Sequence, residues 1–240
     1  MLFDLDDTLH DDTSAYRRAA ARVAAELAAE RGVDEEALID AYVEEVGRFW
    51  GGLRADDLSA NVGRVRIELW RRALARVGIE DEALARRCAQ RYNEYRRAHF
   101  ALYPGALELL QSLRRGGKRI ALVTNGFAET HHDKIAILNL RDAVDAVFVA
   151  DEVGMVKPDP KLFVRACETL GSPPERGAMV GDRYERDIRG AAEAGLFTVW
   201  VNVRDEDVPE GAPPPDAVCA TIAEVGPILE SASAAPAPGS

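Results

Sequence analysis

From about residue 103 onward, short apolar runs rich in β-branched residues alternate with segments of helical spacing. The runs are Ile120-Ala121-Leu122-Val123, Ala146-Val147-Phe148-Val149, Ala178-Met179-Val180 and Phe197-Thr198-Val199-Trp200-Val201. Helical segments are expected between them, at about 105–115, 128–138, 160–170 and 185–195. Strands that are apolar throughout need cover on both faces, and helical crossovers supply it. The pattern therefore predicts an α/β fold: a Rossmann-like, doubly wound parallel sheet. The opening residues, Met1 to Leu5, read as a further strand of the same sheet.

Between this first strand and residue 103 the pattern changes. Tyr16, Ala19, Ala20, Val23, Ala24 and Leu27 recur at helical spacing. Asp34-Glu35-Glu36 opens a second helix with acids suited to its first turn, and Trp50-Gly51-Gly52 breaks it. A third helix is expected over Asp57–Arg76 and a fourth over Asp81–Arg97. Four helices with short joints read as a bundle. The expected organisation is a core over 1–11 and 103–230, an inserted helical cap over 12–102, and a disordered Ala/Pro/Ser/Gly tail over 231–240.

Charge separates the same two parts. The net charge is 30 − 41 = −11, and the stretch from Asp12 to Leu102 holds 16 acidic and 16 basic residues, so the remainder carries all of it. Such a chain lacks the positive field that nucleic acid or an anionic membrane requires, so neither is expected as a partner. No run approaches the ~18 apolar residues of a membrane span, and no leader pattern opens the sequence. Cys88, Cys167 and Cys219 are isolated and form no CxxC, as in a reducing compartment. Together these point to the cytoplasm. None of them sets the oligomeric state, for which a monomer or small homo-oligomer is the expectation.

Ligands of a doubly wound sheet bind at the carboxyl ends of its strands. The first strand is followed by Asp4-Leu5-Asp6-Asp7-Thr8, the second by Thr124-Asn125-Gly126, the third by Asp151-Glu152 and then Val156-Lys157-Pro158, and the fourth by Gly181-Asp182 and then Asp187. Two residues apart on an extended backbone, Asp4 and Asp6 point to one side. Two carboxylates ~4 Å apart repel by about 4 kcal/mol at an effective dielectric of ~20, and Asp182 adds to this. Hard oxygen ligands of this kind suit Mg²⁺, with Lys157 as a second positive charge. For Asp4-Leu5-Asp6 alone, solvated loop acids without a ligand explain the pattern equally well.

Taken together the four segments resemble the haloacid dehalogenase superfamily. Its DxDxT motif matches Asp4-Leu5-Asp6-Asp7-Thr8, its strand-end Thr matches Thr124, its Lys before Pro matches Lys157-Pro158, and its GDxxxxD pair matches Gly181-Asp182 with Asp187. The resemblance covers about 1–230, and the helical insertion resembles the subclass with a mobile helical cap. It implies that Asp4 is the nucleophile and Asp6 the general acid and base. It also implies that Thr124, Asn125, Gly126 and Lys157 bind the substrate phosphate, Lys157 also offsetting its charge. Asp4, Asp6 (through its main-chain carbonyl) and Asp182 would hold Mg²⁺, with Asp187 supporting from behind.

The acid at Asp6 resembles the phosphatases and not the true dehalogenases, and no Lys precedes Lys118 to form a Schiff base in the cap. The implied activity is hydrolysis of a small phosphorylated metabolite, a nucleoside monophosphate or sugar phosphate, through an aspartyl phosphate. Leu122 to Phe163 looks most like the pyrimidine nucleotidases and acylneuraminate-9-phosphatases. Alternatives are a sugar-phosphate phosphotransferase or mutase, and a non-catalytic binding protein. Arg183, where relatives carry Ser or Thr, reads either as a phosphate contact or as a solvated neighbour. His131-His132 reads as helical surface rather than a metal site, and Trp50 and Trp70 as cap core rather than substrate platform. His10-Asp11 and Trp50 to Arg54 are the cap joints expected to face the core site.

Overall fold

The computed structural model describes residues 1–54, 56–57 and 61–234. Six parallel strands form one sheet: β1 (Leu2–Phe3), β2 (Ala121–Thr124), β3 (Ala146–Val149), β4 (Ala178–Gly181), β5 (Phe197–Val201) and β6 (Ala217–Cys219), in the order β3-β2-β1-β4-β5-β6. The order reverses at β1, which pairs with β2 on one side and β4 on the other. That reversal opens the crevice where an α/β sheet binds its ligand.

Strand β1 ends two residues sooner than its sequence suggests. The Asp4 N–H still reaches the Val180 carbonyl at 2.9 Å, but the chain then folds into a tight turn. Leu9 and His10 N–H both return to the Leu5 carbonyl, and Asp7 takes a positive φ of 58°. Strand β6 has no counterpart among the apolar runs of the sequence. Three residues are too few to show a period, and a Pro-Pro-Pro-Asp stretch precedes them. Asp216 fastens this edge by accepting from the Thr198 N–H and hydroxyl, both at 2.8 Å.

Four helices make up the inserted block: α1 (Asp12–Arg31), α2 (Glu35–Gly51), α3 (Val62–Arg76) and α4 (Glu82–Ala98). Each starts at a side-chain cap. Asp11, Asp34, Asn61 and Asp81 accept from the N–H groups of Ser14, Ala37, Arg64 and Leu84. The cap at Asn61 explains why α3 starts later than the Asp57 expected for it. Trp70 is fully buried, stacked on Tyr42 at 4.0 Å, and is core. Trp50 packs edge-on against Phe49 and Phe127.

The remaining helices are α5 (Ala106–Arg115), α6 (Ala128–Ile137), α7 (Ala150–Val153), α8 (Pro160–Thr169), α9 (Arg189–Glu193) and α10 (Val225–Ala234). Helix α10 runs four residues into the segment read as a tail, and 235–240 lie outside the described residues. The helix expected over 185–195 is instead a π-helical turn, Tyr184–Ile188, leading into the short α9. The chain divides into two compact units, one of 1–10, 102–126 and 139 onward, the other of 11–101 and 127–138. The second thus takes in α6, where Lys134 Nζ lies 2.8 Å from Asp12 and Arg66 donates to Thr130 at 2.6 Å. No helix among the described residues is long and apolar enough to cross a membrane.

Inside the first unit, α8 and α9 close on the loop before α8 with almost no clearance. A Cβ added at Gly190 would fall 2.3 Å from the Pro158 carbonyl and 2.8 Å from Phe163. Gly190→Ala is predicted to destabilise the fold by about 1–3 kcal/mol, the usual cost of overpacking. Thermal unfolding followed by circular dichroism checks this, and an unchanged Tm would show that the Pro158 loop can yield.

Candidate active site

The short β1 carries Asp4 out of the sheet centre, and β4 carries Asp182 out beside it. The π-helical turn after β4 brings Asp187 back to the same place. Its carboxylate accepts from the Arg183 N–H at 2.9 Å, and a Cβ at Gly181 would lie only 2.4 Å from its side chain. Only glycine allows that approach, and a π-turn re-aims a side chain that a regular helix would carry past. Asp4, Asp182 and Asp187 are all buried, and one oxygen of each lies within 4.8 Å of the others.

Lys157 enters this group from the loop before α8. Its Nζ lies 2.6 Å from Asp4 Oδ1 and 2.6 Å from Asp187 Oδ1, with the residue itself buried. Asp182 is held from its other side. Arg204 Nη2 donates to its Oδ2 at 2.8 Å and to its main-chain carbonyl at 2.7 Å, and Trp200 Nε1 also reaches that carbonyl, at 3.0 Å. The Thr8 hydroxyl donates to Asp182 Oδ1 at 3.3 Å.

Three buried carboxylates therefore face the buried Lys157 and the partly exposed Arg204, with the exposed Arg183 beside Asp182. Burial pushes the Asp4 carboxyl well up from its ordinary range, with Lys157 pulling against it and Asp187 and Asp182 adding to the rise. Burial and Asp187 push Asp182 up to about 6 although Arg204 opposes them. Burial alone would lower the Lys157 ammonium, but Asp187 and Asp4 overturn this and hold it at about 12. The cluster is buried and offers carboxylate oxygen, the donor chemistry of a small hard divalent cation.

Of the residues singled out in the sequence, Asp4, Lys157, Asp182 and Asp187 come together. Asp6 does not join them through its side chain. It is half-buried, and its backbone bridges to His10. Thr124 ends β2 with its side chain buried, and Gly126 takes a φ of 151°. Asn125 turns its amide to the Lys157 main chain, donating to its carbonyl at 3.0 Å and accepting its N–H at 2.8 Å.

Arg183 is exposed, with Nε 3.4 Å from Asp182 Oδ2. His131 is buried, its Nδ1 3.0 Å from the Phe127 carbonyl, and neither it nor His132 joins a metal-capable group among the described residues. Asp11 spends its carboxylate capping α1. Arg204 and the contact of Thr8 with Asp182 escaped sequence reasoning. Arg204 stands shortly after β5, so the strand-end rule that found Asp4 and Asp182 points to it too, but its charged neighbours Asp205, Glu206 and Asp207 disguise it as surface.

Residues 1–195 match the family model of the haloacid dehalogenase-like hydrolases. The chain is 35% identical to phosphoserine phosphatase of Thermus thermophilus over 239 residues, covering 89% of this chain and 92% of that protein. It is 31% identical to N-acylneuraminate-9-phosphatase of Rattus norvegicus over 235 residues, covering 96% and 93%. Its fold is similar to that of the magnesium-bound HAD-hydrolase YfnB of Bacillus subtilis, with a TM-score of 0.75, 23% identity and 95% and 96% coverage. The sheet that reverses at β1, the buried Asp-Lys-Asp cluster at that reversal and these matches lead to one conclusion: the chain belongs to the haloacid dehalogenase-like hydrolases, among enzymes that hydrolyse phosphoric monoesters.

Proposed function

We propose that this enzyme is a magnesium-dependent phosphatase of small phosphorylated metabolites that works through an aspartyl phosphate on Asp4. The observation that carries this reading is the Lys157 ammonium, 2.6 Å from both Asp4 and Asp187 beside a third buried carboxylate. That arrangement supports an ionised, oriented carboxylate at the mouth of a parallel sheet, which is what a carboxylate nucleophile needs.

In the first step an Asp4 carboxylate oxygen bonds to phosphorus as the ester oxygen departs with its electron pair, and Asp6 gives that oxygen a proton. In the second step Asp6 takes a proton from water, whose oxygen bonds to the same phosphorus. The bond to Asp4 breaks, freeing the carboxylate and inorganic phosphate. The Thr124 hydroxyl and the main-chain N–H groups of Asn125 and Gly126 hold phosphate oxygens. Lys157 balances Asp4 and the transferring phosphoryl group, and Asp187 anchors Lys157. Arg204 and Thr8 keep Asp182 in place. Asp4, the Asp6 main-chain carbonyl and Asp182 would hold Mg²⁺, which supplies charge neutralisation to a site otherwise repulsive to phosphate.

The relatives are named for phosphoserine, N-acylneuraminate-9-phosphate and glyceraldehyde 3-phosphate, and these support a small soluble phosphomonoester as the substrate class. Cys88, Cys167 and Cys219, all buried free thiols, support a cytoplasmic setting.

A phosphate-release screen of metabolite phosphomonoesters tests this reading. Turnover is predicted to need Mg²⁺ or Mn²⁺, to vanish with excess EDTA, and to fall when Ca²⁺ replaces Mg²⁺, because the looser calcium shell misplaces the nucleophile. Full turnover in excess EDTA would contradict the metal assignment. Lys157→Ala is predicted to lower kcat by roughly 10²–10³-fold, the scale of losing one preorganised electrostatic group. A near-normal kcat would remove Lys157 from the mechanism.

A further inference from the structure

We propose that the Asn125 side chain is a positioning group for Lys157: its amide sets where the Lys157 ammonium stands, and the amide does not itself contact the substrate. The proposal rests on the reading of Lys157 given above.

Asn125 is the first residue after β2, where the ladder of the sheet has ended. Its amide continues the ladder by other means. The Nδ2 group donates to the Lys157 carbonyl at 3.0 Å, and Oδ1 accepts the Lys157 N–H at 2.8 Å. A primary amide offers one carbonyl oxygen and one NH₂ group, and here both bond to the main chain of a single residue. Side chain and backbone pair as two neighbouring strands would, across 32 positions of sequence.

Lys157 needs such a fixture. Its ammonium sits at the end of a four-carbon stem with free rotation, and it must meet two carboxylates at 2.6 Å each. The far side of the same loop lies close against Gly190, where an added Cβ would meet the Pro158 carbonyl at 2.3 Å. The near side is fixed by the Asn125 amide. Side-chain length selects this residue. Alanine and serine fall short of the Lys157 main chain, glutamine overshoots by a methylene, and aspartate keeps the acceptor but sets a carboxylate against the Lys157 carbonyl. The main-chain N–H groups of Asn125 and Gly126 are left for the substrate phosphate, and side-chain replacement does not remove them.

A double-mutant cycle separates this role from substrate contact and from general structural support. Steady-state kinetics with p-nitrophenyl phosphate at saturating Mg²⁺ would be measured for wild type, Asn125→Ala, Lys157→Ala and the double variant. Asn125→Ala is predicted to lower kcat by roughly 10–10²-fold, the scale set by a misplacement of about 1 Å, with KM within about twofold of wild type. Adding Asn125→Ala to Lys157→Ala is predicted to cost nothing further, because no ammonium remains to misplace.

Asn125→Asp carries the same cycle should the alanine variant fail to fold, with a loss at least as large in the wild-type background and none in the Lys157→Ala background. Losses that multiply in the double variant, or an Asn125→Ala defect that resides in KM, would overturn the positioning role while leaving Lys157 in the mechanism. Near-wild-type turnover of Lys157→Ala would overturn the reading of Lys157, and the proposal with it.

Discussion

The Lys157 ammonium is the charge on which the rest of this site depends. Asp4 and Asp187 are buried, and two carboxylates brought together out of water cannot both stay ionised without a counter-charge. At ~4 Å and an effective dielectric of ~20, one opposite charge is worth about 4 kcal/mol, or about three pK units. Lys157 stands closer than that to both. Burial still holds Asp4 above its ordinary range, so one ammonium does not complete the compensation. The same buried carboxylates, Asp4, Asp182 and Asp187, are also the group that could hold a metal ion.

Several otherwise unrelated features serve this contact. The π-helical turn over Tyr184–Ile188 aims Asp187 inward, and Gly181 gives it room. Arg204 secures Asp182, whose carboxylate would otherwise stand unbalanced beside Asp187. The chain has 26 arginines and four lysines, and two of the four, Lys134 and Lys157, are buried in ion pairs. Arginine forms most of the surface pairs, where its planar fork suits exposed carboxylates. A compact charge on a slim stem fits where two carboxylates converge in a tight interior.

Much of this was legible in the chain. Strands β2 to β5 are continuous apolar runs, and such runs are distinctive because both faces of the sheet are covered. Asp4, Lys157, Asp182 and Asp187 could be found because each closes or shortly follows a strand or its crossover. What escaped the sequence depends on direction or on distant partners. β6 is three residues long and is pinned by Asp216, a contact without local pattern. The π-turn over Tyr184–Ile188 reads as ordinary helix, because residue spacing alone does not separate the two. The pairing of the Asn125 amide with the Lys157 main chain escaped because no sequence shows which way an amide faces. Helix α6 sits among core segments in the sequence but clusters with the inserted helices, because Thr130 and Lys134 bond to Arg66 and Asp12 of that unit.

In the proposed mechanism the Asp4 carboxylate is the centre of the chemistry and the Asp6 side chain carries the protons. Replacing Asp6 by Asn separates these roles, since p-nitrophenolate leaves without protonation while hydrolysis still needs a base. The most direct measurement is rapid quenching of Asp6→Asn with labelled p-nitrophenyl phosphate, followed by digestion and mass spectrometry. A persistent phosphoenzyme with the label on the peptide containing Asp4 is predicted, and none in Asp4→Asn. Label on any other residue, or no trapped phosphoenzyme in either variant, would contradict this mechanism.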